Sequence, residues 1–372
     1  MPIFMDRHDI LGVTAKHVAE VHQKDLKVQG KFGCKTLTYW FDEKSGVAFC
    51  LVDAPEKQAV INMHNQAHGI IPHQIIEVER NLVKSFLGRI TDPEANKKSG
   101  EPDLVINESA IRTILYIELK YPDDLNSKIL KENSLFLPDV YSNLIHKTLQ
   151  QHGSNKIKDT DDGFVASFTD EIDALQCAKE LLANLKEINK RDTHQWINAS
   201  IGLSTGAPVT DNTRFFGETI RLTKRLAYIA EPGQIMLSAS IGELHNTGSL
   251  KSSNKNKLVK TLNYTEENFL NQLMELAEKC LDQPHYNVND CCNQLGVSKS
   301  QLYRKTTALT GKTPNEFIKE FRLSKALKLM QKHRGNISEI AFETGFSTPS
   351  YFTQCFHKRY GILPSEYEAS VA

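Results

Sequence analysis

Apolar and polar residues alternate along this chain at two different spacings, and the spacing predicts which segments are strands and which are helices. Over residues 1–90 it predicts strand, helix, strand, strand, helix, strand. The first helix ends at Gly33, the central strands form a hairpin about Ser45 and Gly46, and Gly69 closes the second helix. The order of elements in this segment is therefore βαββαβ.

That order is typical of the ferredoxin-like fold. A small sheet with one face open often pairs with a second copy, so a homodimer is expected. Two polar stretches, residues 91–108 and 245–262, have the composition of linkers. They divide the chain into three predicted domains, namely residues 1–90, about 109–244 and about 263–372.

The middle domain alternates strands with helices and is predicted to be α/β. The predicted elements are a strand at 111–120, a helix at 136–152, a hairpin at 155–168, a helix at 169–191, a strand at 196–209, and a helix, Pro-Gly turn and strand at 214–238. The last domain contains only helical patterns, so the chain as a whole is predicted to be a multidomain α+β protein.

The last domain contains an internal repeat. An aliphatic residue precedes a glycine by eight positions in both copies, at Val288 and Ile337. A second glycine follows 15 residues later in the first copy and 16 later in the second, and a proline follows each second glycine by three. Each copy therefore predicts helix, glycine turn, helix, which is the helix-turn-helix pattern. Ser298 with Gln301 forms a capping box, and in the second unit either Ser347 or Thr348, which precedes Pro349, is expected to cap the helix.

Charge favours DNA as the partner of this domain. The chain carries 45 Lys and Arg and 45 Asp and Glu, yet residues 284–360 hold 12 basic and 5 acidic residues, a net charge of +7. The helix between the two units has about 21 residues, hence a length of about 31 Å. One DNA turn is about 34 Å, so the two units could enter successive major grooves.

Other classes of protein are disfavoured by composition. No apolar run reaches the roughly 18 residues of a membrane helix, and the first residues lack the profile of a signal peptide. Seven scattered cysteines indicate reduced thiols in a cytoplasmic protein. No membrane partner is expected.

The second unit resembles the signature of the AraC/XylS transcription regulators. The residues that carry the resemblance are Ile337, Ile340, Ala341, Gly345, Phe346, Ser350, Phe352, Phe356, Gly361, Pro364 and Tyr367. The resemblance implies that two recognition helices read bases of double-stranded DNA. The implied base contacts are Ser300, Tyr303 and Arg304 in the first helix, and Thr348, Ser350 and Gln354 in the second.

Side-chain chemistry separates specificity from anchoring in these two helices. Arg304 could bond guanine through two hydrogen bonds, and Gln354 could pair with adenine. Contacts to phosphate position a protein without specifying sequence, and they are expected from Lys299, Lys305 and Lys358. Leu302, Phe352 and Phe356 are expected in the core.

The first domain holds a group of candidate metal ligands. His64 and His68 lie four residues apart on the second helix, hence on one face of it. His73 follows, and Asp6 and His8 lie on the first strand. This set suits Ni, Zn or Cu, although surface histidines without a metal are the alternative. The two helix positions are expected to be exposed.

The segments MPIFMDRHD, KFGCKTLTYWFDE and MHNQAHG resemble a family of small nickel-binding ferredoxin-like proteins. The resemblance covers nearly all of residues 1–90 and implies a transition metal, Ni or Zn, as a possible cofactor. A different small-molecule effector in the same pocket is the other possibility.

The middle domain resembles class III nucleotidyl cyclases over about 130 residues, through KDTDDGF, SIGLSTG, FGETIRLTKR and AEPGQI. The resemblance implies that Asp162 is a metal carboxylate, Lys158 the base-selecting lysine and Arg225 the transition-state arginine. It also implies that such domains pair. Glu118 and Arg221 replace an expected Asp and Asn, and Lys120-Tyr121-Pro122 replaces a Gly-Phe-Thr turn. Because these changes disturb Mg geometry and the phosphate cradle, we expect this domain to be inactive and its nucleotide residues vestigial.

The leading interpretation is a ligand- or metal-responsive transcription regulator. The alternative is a nucleotidyl cyclase with an attached DNA-binding module. A metal-storage protein with a DNA tether is a third interpretation, and it needs more metal ligands than the sequence provides. The operator, the regulated genes and the direction of regulation are not encoded in these patterns.

Overall fold

The computed structural model describes residues 1–93, 105–120, 139–160, 163–191, 197–211, 214–242, 258–332 and 335–371. Over these residues the chain forms two sheets with helices packed on them, followed by a helical segment. The part of the chain described here contains no helix long and apolar enough to cross a membrane. The mixed helix-and-sheet class predicted from the sequence is confirmed.

The N-terminal part has the predicted βαββαβ order with one added helix. Its elements are β1 (Ile3–Asp9), α1 (Ala15–Val28), β2 (Lys35–Asp42), β3 (Val47–Asp53), α2 (Lys57–Ala67), β4 (Gln74–Val78) and α3 (Arg80–Leu87). The strands pair antiparallel in the order β2-β3-β1-β4, which is the ferredoxin-like order. A 3-10 turn extends α1, and it ends at Gly33 with a φ of 64°.

The two faces of this sheet bury different partners because strand side chains alternate. Phe4 faces α1 and α2, whereas Ile3 and Met5 lie in a second cluster with Phe86 of α3. That second cluster also contains residues of the middle segment, among them Phe216. The expectation that this open face meets a second copy is therefore wrong, because the chain covers the face itself. The helix that does so, α3, was not predicted.

The middle segment forms a six-stranded sheet in the order β10-β9-β8-β5-β7-β6. Its elements are β5 (Arg112–Lys120), α4 (Asp139–Gln151), β6 (Asn155–Thr160), β7 (Gly163–Phe168), α5 (Glu171–Arg191), β8 (Asn198–Gly206), α6 (Gly217–Ile229), β9 (Ile235–Leu237) and β10 (Val259–Thr261). Helices α4 and α5 supply the apolar cluster on one face, and α6 packs on the other.

Both predicted linkers have structured ends. Strand β10 lies inside the second linker and pairs parallel to β9, and Leu262 beyond it is buried. In the first linker Ile106 is buried and Glu108 bridges to Phe41. The short apolar groups in these polar stretches were too small to register as elements against the surrounding Ser, Asn and Lys.

The C-terminal segment is helical, and it contains both predicted helix-turn-helix units. Its elements are α7 (Tyr264–Lys279), α8 (Val288–Leu295), α9 (Lys299–Thr310), α10 (Pro314–Gln331), α11 (Ile337–Glu343), α12 (Pro349–Tyr360) and α13 (Pro364–Val371). The predicted capping box of Ser298 and Gln301 is confirmed, and of the two candidates in the second unit Thr348, not Ser347, caps α12, with a proline at the start of the helix.

Helix α10 belongs to two hydrophobic cores. Phe317 and Phe321 in its first half lie in the core of the first unit, which also contains Leu302. Leu323, Ala326 and Met330 in its second half lie in the core of the second unit, with Phe352 and Phe356. One continuous helix therefore joins the two units, and the predicted core residues Leu302, Phe352 and Phe356 are confirmed as buried.

Candidate metal cluster and DNA-reading face

A cluster of ionisable side chains is enclosed between the N-terminal sheet and its two helices. Strand β1 contributes Asp6 and His8, helix α1 contributes Asp25, and helix α2 with its C-cap contributes His64 and His68. Asp6 and His64 have no exposed surface at all. Burying charged groups is costly unless they are paired, so a cluster of this kind indicates a site rather than a packing solution.

His64 lies at the centre of the cluster, between two carboxylates. Its Nε2 is 2.8 Å from Oδ2 of Asp6, and its Nδ1 is 3.1 Å from Oδ1 of Asp25. His8 approaches the other oxygen of Asp6, with 3.3 Å between Nε2 and Oδ1. The backbone N–H of Cys50 also donates to that oxygen at 3.1 Å. Asp6 is thereby fixed from three directions.

His68 closes the cluster on its other side. Its Nε2 is 3.2 Å from Oδ1 of Asp25 and 3.1 Å from Nδ1 of His64. The backbone N–H of Ile70 donates to Nδ1 of His68 at 3.1 Å. Because Nδ1 accepts that hydrogen bond, the neutral ring carries its proton on Nε2 and donates it towards Asp25.

The electrostatics follow from these contacts. Burial disfavours a charged His64, but the carboxylates of Asp6 and Asp25 outweigh it and raise the pKa of His64 to about 10. Burial acts to raise the pKa of both carboxyls, and the neighbouring imidazoles outweigh it, so the pKa of Asp6 and that of Asp25 are lowered. Without a metal, the cluster is an imidazolium held by two carboxylates.

Among the described residues, two overlapping groups of three side chains could each hold a metal ion. Within each group, the ligand atoms lie within 4.8 Å of one another. One is Asp6, His8 and His64, and the other is Asp25, His64 and His68. A cavity of about 40 Å³ adjoins them, with apolar walls that include Val18 and Val21 of α1. His22 also lines the cavity, and its Nε2 is 3.3 Å from Oδ2 of Asp92.

The structure changes three details of the sequence prediction. His64 is buried, so the expectation of two exposed helix positions is wrong, because α2 packs this face against the sheet. His73 lies outside both sets of ligand atoms; it is exposed, and its Nδ1 accepts from the N–H of Asp9. Asp25 was missed, since nothing in the polar pattern around it distinguishes it from a surface residue of α1.

The two recognition helices present exposed polar faces. On α9, Lys299, Ser300 and Arg304 are exposed, whereas Tyr303 and Lys305 are half-buried. Lys305 lies against α7, with its Nζ 5.3 Å from the centre of the Phe269 ring. Arg304 is thus the predicted base-reading cation that this helix leaves open to solvent.

On α12 the predicted residues Thr348, Ser350, Gln354 and Lys358 are all exposed. Thr348 also caps the helix, because its Oγ1 accepts from the N–H of Tyr351 at 3.2 Å. Tyr351 was not predicted, yet half of its surface is exposed on the face that Gln354 and Lys358 share at helical spacing. The i, i+3, i+7 spacing of these three residues is the signal that could have identified it.

The nucleotide-type residues of the middle segment have protein partners. Arg225 is buried, and its guanidinium donates to Asn271, Glu275 and Glu278 of α7. Nζ of Lys120 is 2.7 Å from Oε2 of Glu118. The two Nη atoms of Arg225 are therefore bonded to α7, and its vestigial nucleotide role stays a prediction.

Arg221 of α6 is half-exposed, and its guanidinium is 3.9 Å from the carboxylate of Glu275 of α7. Asp162 and the side chain of Lys158 lie outside the described residues.

Two helix-turn-helix units joined by one helix define the C-terminal segment as a DNA-binding domain of the transcription-regulator type. Residues 291–370 match the family model described as a helix-turn-helix domain. Residues 4–78 match the family model described as nickel responsive protein SCO4226-like. The two matches confirm that residues 291–370 resemble helix-turn-helix domains and that residues 4–78 resemble a nickel-responsive family.

Curated relatives resemble the C-terminal part. The chain is 28% identical over 98 residues to the HTH-type transcriptional regulator MtrA of Neisseria gonorrhoeae, and 27% identical over 135 residues to the activator RhaS of Mannheimia succiniciproducens. It is 36% identical over 108 residues to histidine kinase P4 of Formosa agariphila. These alignments cover 26%, 36% and 29% of this chain, and only 33%, 44% and 8% of the three relatives.

Two solved structures resemble the other segments. SCO4226 of Streptomyces coelicolor is 34% identical, with 20% of this chain and 94% of that chain covered and a TM-score of 0.20. An adenylate/guanylate cyclase/hydrolase of Silicibacter pomeroyi is 25% identical, with 37% and 81% covered and a TM-score of 0.32. Each likeness is confined to one segment of the chain.

Proposed function

We propose that this protein is a cytoplasmic transcription regulator that binds double-stranded DNA and responds to a transition-metal ion. The observation that carries the DNA-binding half is the helix-turn-helix match over residues 291–370. Two features support it, namely the exposed polar faces of α9 and α12 and the local net charge of +7 over residues 284–360. Such an excess of positive charge draws a domain to phosphate.

In this proposal each unit reads one major groove. Arg304 pairs with guanine and Gln354 with adenine, while Lys299 and Lys358 contact phosphates. Ser300, Ser350 and Thr348 lie close enough to the helix N-termini for short contacts to the backbone or base edges. Tyr303 and Lys305 are half-buried and play the smaller part.

The test is binding of the full chain to a genomic DNA pool, followed by selection of a cognate site. Arg304→Ala should lose about 1–3 kcal/mol on the cognate site and relax base choice at one position. Lys299→Ala should weaken binding to all sequences alike and flatten the salt dependence. Lys186→Ala, an exposed cation on α5, is the matched control. No salt-sensitive binding to any DNA would refute the proposal.

For the effector, the donor set of the cluster fits a transition metal. Asp6, His8 and His64 offer one carboxylate oxygen and two imidazole nitrogens, the combination that Ni and Zn accept. A metal bound there would replace the proton that His64 shares with Asp6. Asp25 would then accept the Nδ1 proton of His64 and fix its tautomer, as carboxylates behind metal-bound histidines do.

The alternative set of Asp25, His64 and His68 is less suitable. Nδ1 of His68 accepts from the N–H of Ile70, so its Nε2 carries a proton and is closed to a metal. His68 therefore supports Asp25 from outside the ligand set. We assign His73 no part in binding.

Calorimetric titration of the full chain with Ni²⁺ and with Zn²⁺ tests this assignment. His8→Ala should abolish binding or weaken it by at least tenfold, and His73→Ala should leave it unchanged. His64→Ala is unsuitable, because it would remove the imidazolium that lies between two buried carboxylates and destabilise the domain. Equal loss in both variants, or none in either, would contradict the ligand set.

We also propose that the middle segment does not cyclise nucleotides. Arg225 is bonded to α7 and Glu118 to Lys120, so two residues that catalysis would need are engaged elsewhere. Assays with ATP and GTP and with Mg or Mn should give no cyclic product. Product from the wild type that disappears in Asp162→Ala would instead establish the cyclase alternative.

A homodimer remains a prediction from the cyclase resemblance alone. Native mass spectrometry of the full chain tests it and reports any co-purified metal. A mass of two chains is expected, and a single chain at micromolar concentration would contradict it.

A further inference from the structure

Helix α6 contacts both of the parts to which the proposed function assigns separate tasks. At its N-terminal end it meets the N-terminal domain, and along its length it meets the DNA-binding segment. No comparison assigns a role to this helix.

The contact with the N-terminal domain is made by residues just before the first residue of α6. The ring of Phe216 stacks on Phe86 of α3, with 5.5 Å between centres and 24° between planes. The guanidinium of Arg7 donates to the carbonyl of Val209 at 3.4 Å. Arg7 lies between Asp6 and His8 on β1, so the strand that carries the candidate ligands touches the middle segment through its opposite face.

The backbone at this junction is held in an unusual conformation. Phe216 has a φ of 51°, in the left-handed region that a bulky residue adopts only when packing imposes it. It is almost fully buried, and Phe215 lies against its ring at 4.8 Å. The start of α6 is therefore set by its packing against the N-terminal domain.

The contact with the DNA-binding segment is made by Arg225. Nη1 of Arg225 is 2.8 Å from Oδ1 of Asn271 and 3.3 Å from Oε1 of Glu275, and Nη2 is 3.3 Å from Oε2 of Glu278. The arginine is 2% exposed, so its charge depends on these three acceptors of α7. The rings of Phe317 and Phe321 lie about Tyr228, one turn further along α6.

The apolar core shows which unit this contact controls. Leu226 and Ile229 of α6 lie in one cluster with Phe269 of α7 and with Leu302 of the first recognition helix. The second unit has a separate cluster that contains no residue of α6 or α7. A displacement of α6 would therefore act on the core that contains α9, whereas the second unit meets α6 through Tyr228, which interacts with Ser324 of α10 and Tyr360 of α12.

We infer that α6 transmits the state of the N-terminal domain to the first recognition helix, and that Arg225 is the positioning residue that couples α6 to α7. The identity of the signal rests on the proposed function. The mechanical coupling rests on the contacts of α6 alone.

The test uses the full chain and compares two arginines of the same helix. Arg225→Ala removes the buried tie, and Arg221→Ala removes a half-exposed arginine 3.9 Å from Glu275 as the control. DNA dissociation constants are measured with and without Ni²⁺. The wild-type ratio is expected in the range of about 5–150-fold. It should fall to within about twofold in Arg225→Ala and stay unchanged in Arg221→Ala.

Amide hydrogen exchange gives a second readout that requires no effector. Arg225→Ala should speed exchange in α7 and α9 at least tenfold more than Arg221→Ala does, and leave α12 unchanged. Should Arg225→Ala fail to fold, the double variant Glu275→Gln/Glu278→Gln keeps the arginine and Asn271 and should show the same pattern at reduced size.

The outcomes separate the two proposals. If metal leaves the DNA affinity of the wild type unchanged, but amide exchange in α7 and α9 is faster in Arg225→Ala, the metal effector is overturned and the coupling is supported. A full metal effect in Arg225→Ala, or exchange in α7 no faster than in the Arg221→Ala control, overturns the coupling.

Discussion

Among single residues, His64 shows which site residues their spacing along the sequence can predict. The four-residue interval to His68 and the nearby Asp6 and His8 were visible in the sequence, and the structure brings all four together. Asp25 was not visible, because its partners, His64 and His68, lie on another helix 39 and 43 residues away. Spacing identifies residues on one element, whereas a cluster assembled from three elements depends on the packing of the whole domain.

The buried imidazolium makes the stability of the metal-free chain depend on pH. The pKa of His64 is raised to about 10 in the folded state, so its contribution is complete below the unfolded value of about 6.5 and is lost as pH rises towards 10. The lowered pKa values of Asp6 and Asp25 add stability above about pH 4 that is lost on acidification.

We expect the N-terminal domain of chelator-treated protein to lose stability, on the order of a few kcal/mol, between pH 6 and pH 10. Amide exchange in β1 and α2, corrected for the intrinsic pH effect, measures it. Asp25→Asn should move the loss to lower pH, because one of the carboxylates that raises the pKa of His64 is gone. A stability that rises through this range would contradict the protonated state.

At the level of elements, the two turn glycines of the repeat are alike in sequence and different in structure. Gly296 and Gly345 have φ values of 64° and 76°. A Cβ on Gly296 would meet open space, whereas one on Gly345 would overlap the carbonyl oxygen of Leu281 and crowd the guanidinium of Arg322. The second turn is packed against the first unit, and the first turn faces solvent.

Alanine at the two positions should therefore have unequal costs. Gly296→Ala bears only the left-handed backbone, about 1–2 kcal/mol. Gly345→Ala bears the same cost and a clash with backbone that cannot rotate away, so it should lower the melting temperature of the full chain by clearly more. Thermal unfolding followed by circular dichroism compares them, and equal shifts would show that the contact with Leu281 is not tight.

The elements themselves were largely predictable, because their signals are local. Ser298 with Gln301 placed the start of α9 at the residue where it occurs, and the two candidate caps Ser347 and Thr348 placed the start of α12 to within one residue. Among the elements that were missed, α3 and β10 are short and adjoin polar stretches. These two elements are stabilised because Phe86 and Leu262 are buried in the tertiary structure. A short stretch of sequence does not show that burial.

For the whole molecule, one consequence is the spacing of the DNA contact. With α10 joining both units, each bound chain should protect two stretches on one face of the duplex, about 10 base pairs apart. Hydroxyl-radical footprinting of a cognate site measures this. A single protected stretch in the wild type would contradict this spacing. If Arg304→Ala abolishes that stretch and Gln354→Ala leaves it intact, only the first unit engages DNA.

Domain order was also easier to predict from the sequence than domain contact. The repeat, the βαββαβ pattern and the polar stretches indicated three parts. That the sheet face around Met5 is covered by the same chain, and that Arg225 bonds to α7 instead of a nucleotide, could not be inferred. Both depend on which surfaces meet in three dimensions.

If the protein binds DNA as proposed, the 18 residues of α10 set the distance between its two half-sites. A helix cannot stretch, and one inserted residue would turn the second unit by about 100° and advance it about 1.5 Å. One base pair inserted between the two half-sites would likewise turn one of them by roughly 34–36° about the duplex. Because a one-residue step of the helix does not match a one-base-pair step of the duplex, a mutation that restores binding to a lengthened site should appear in the interhelical contacts, such as Arg359 with Glu320, rather than in the reading residues.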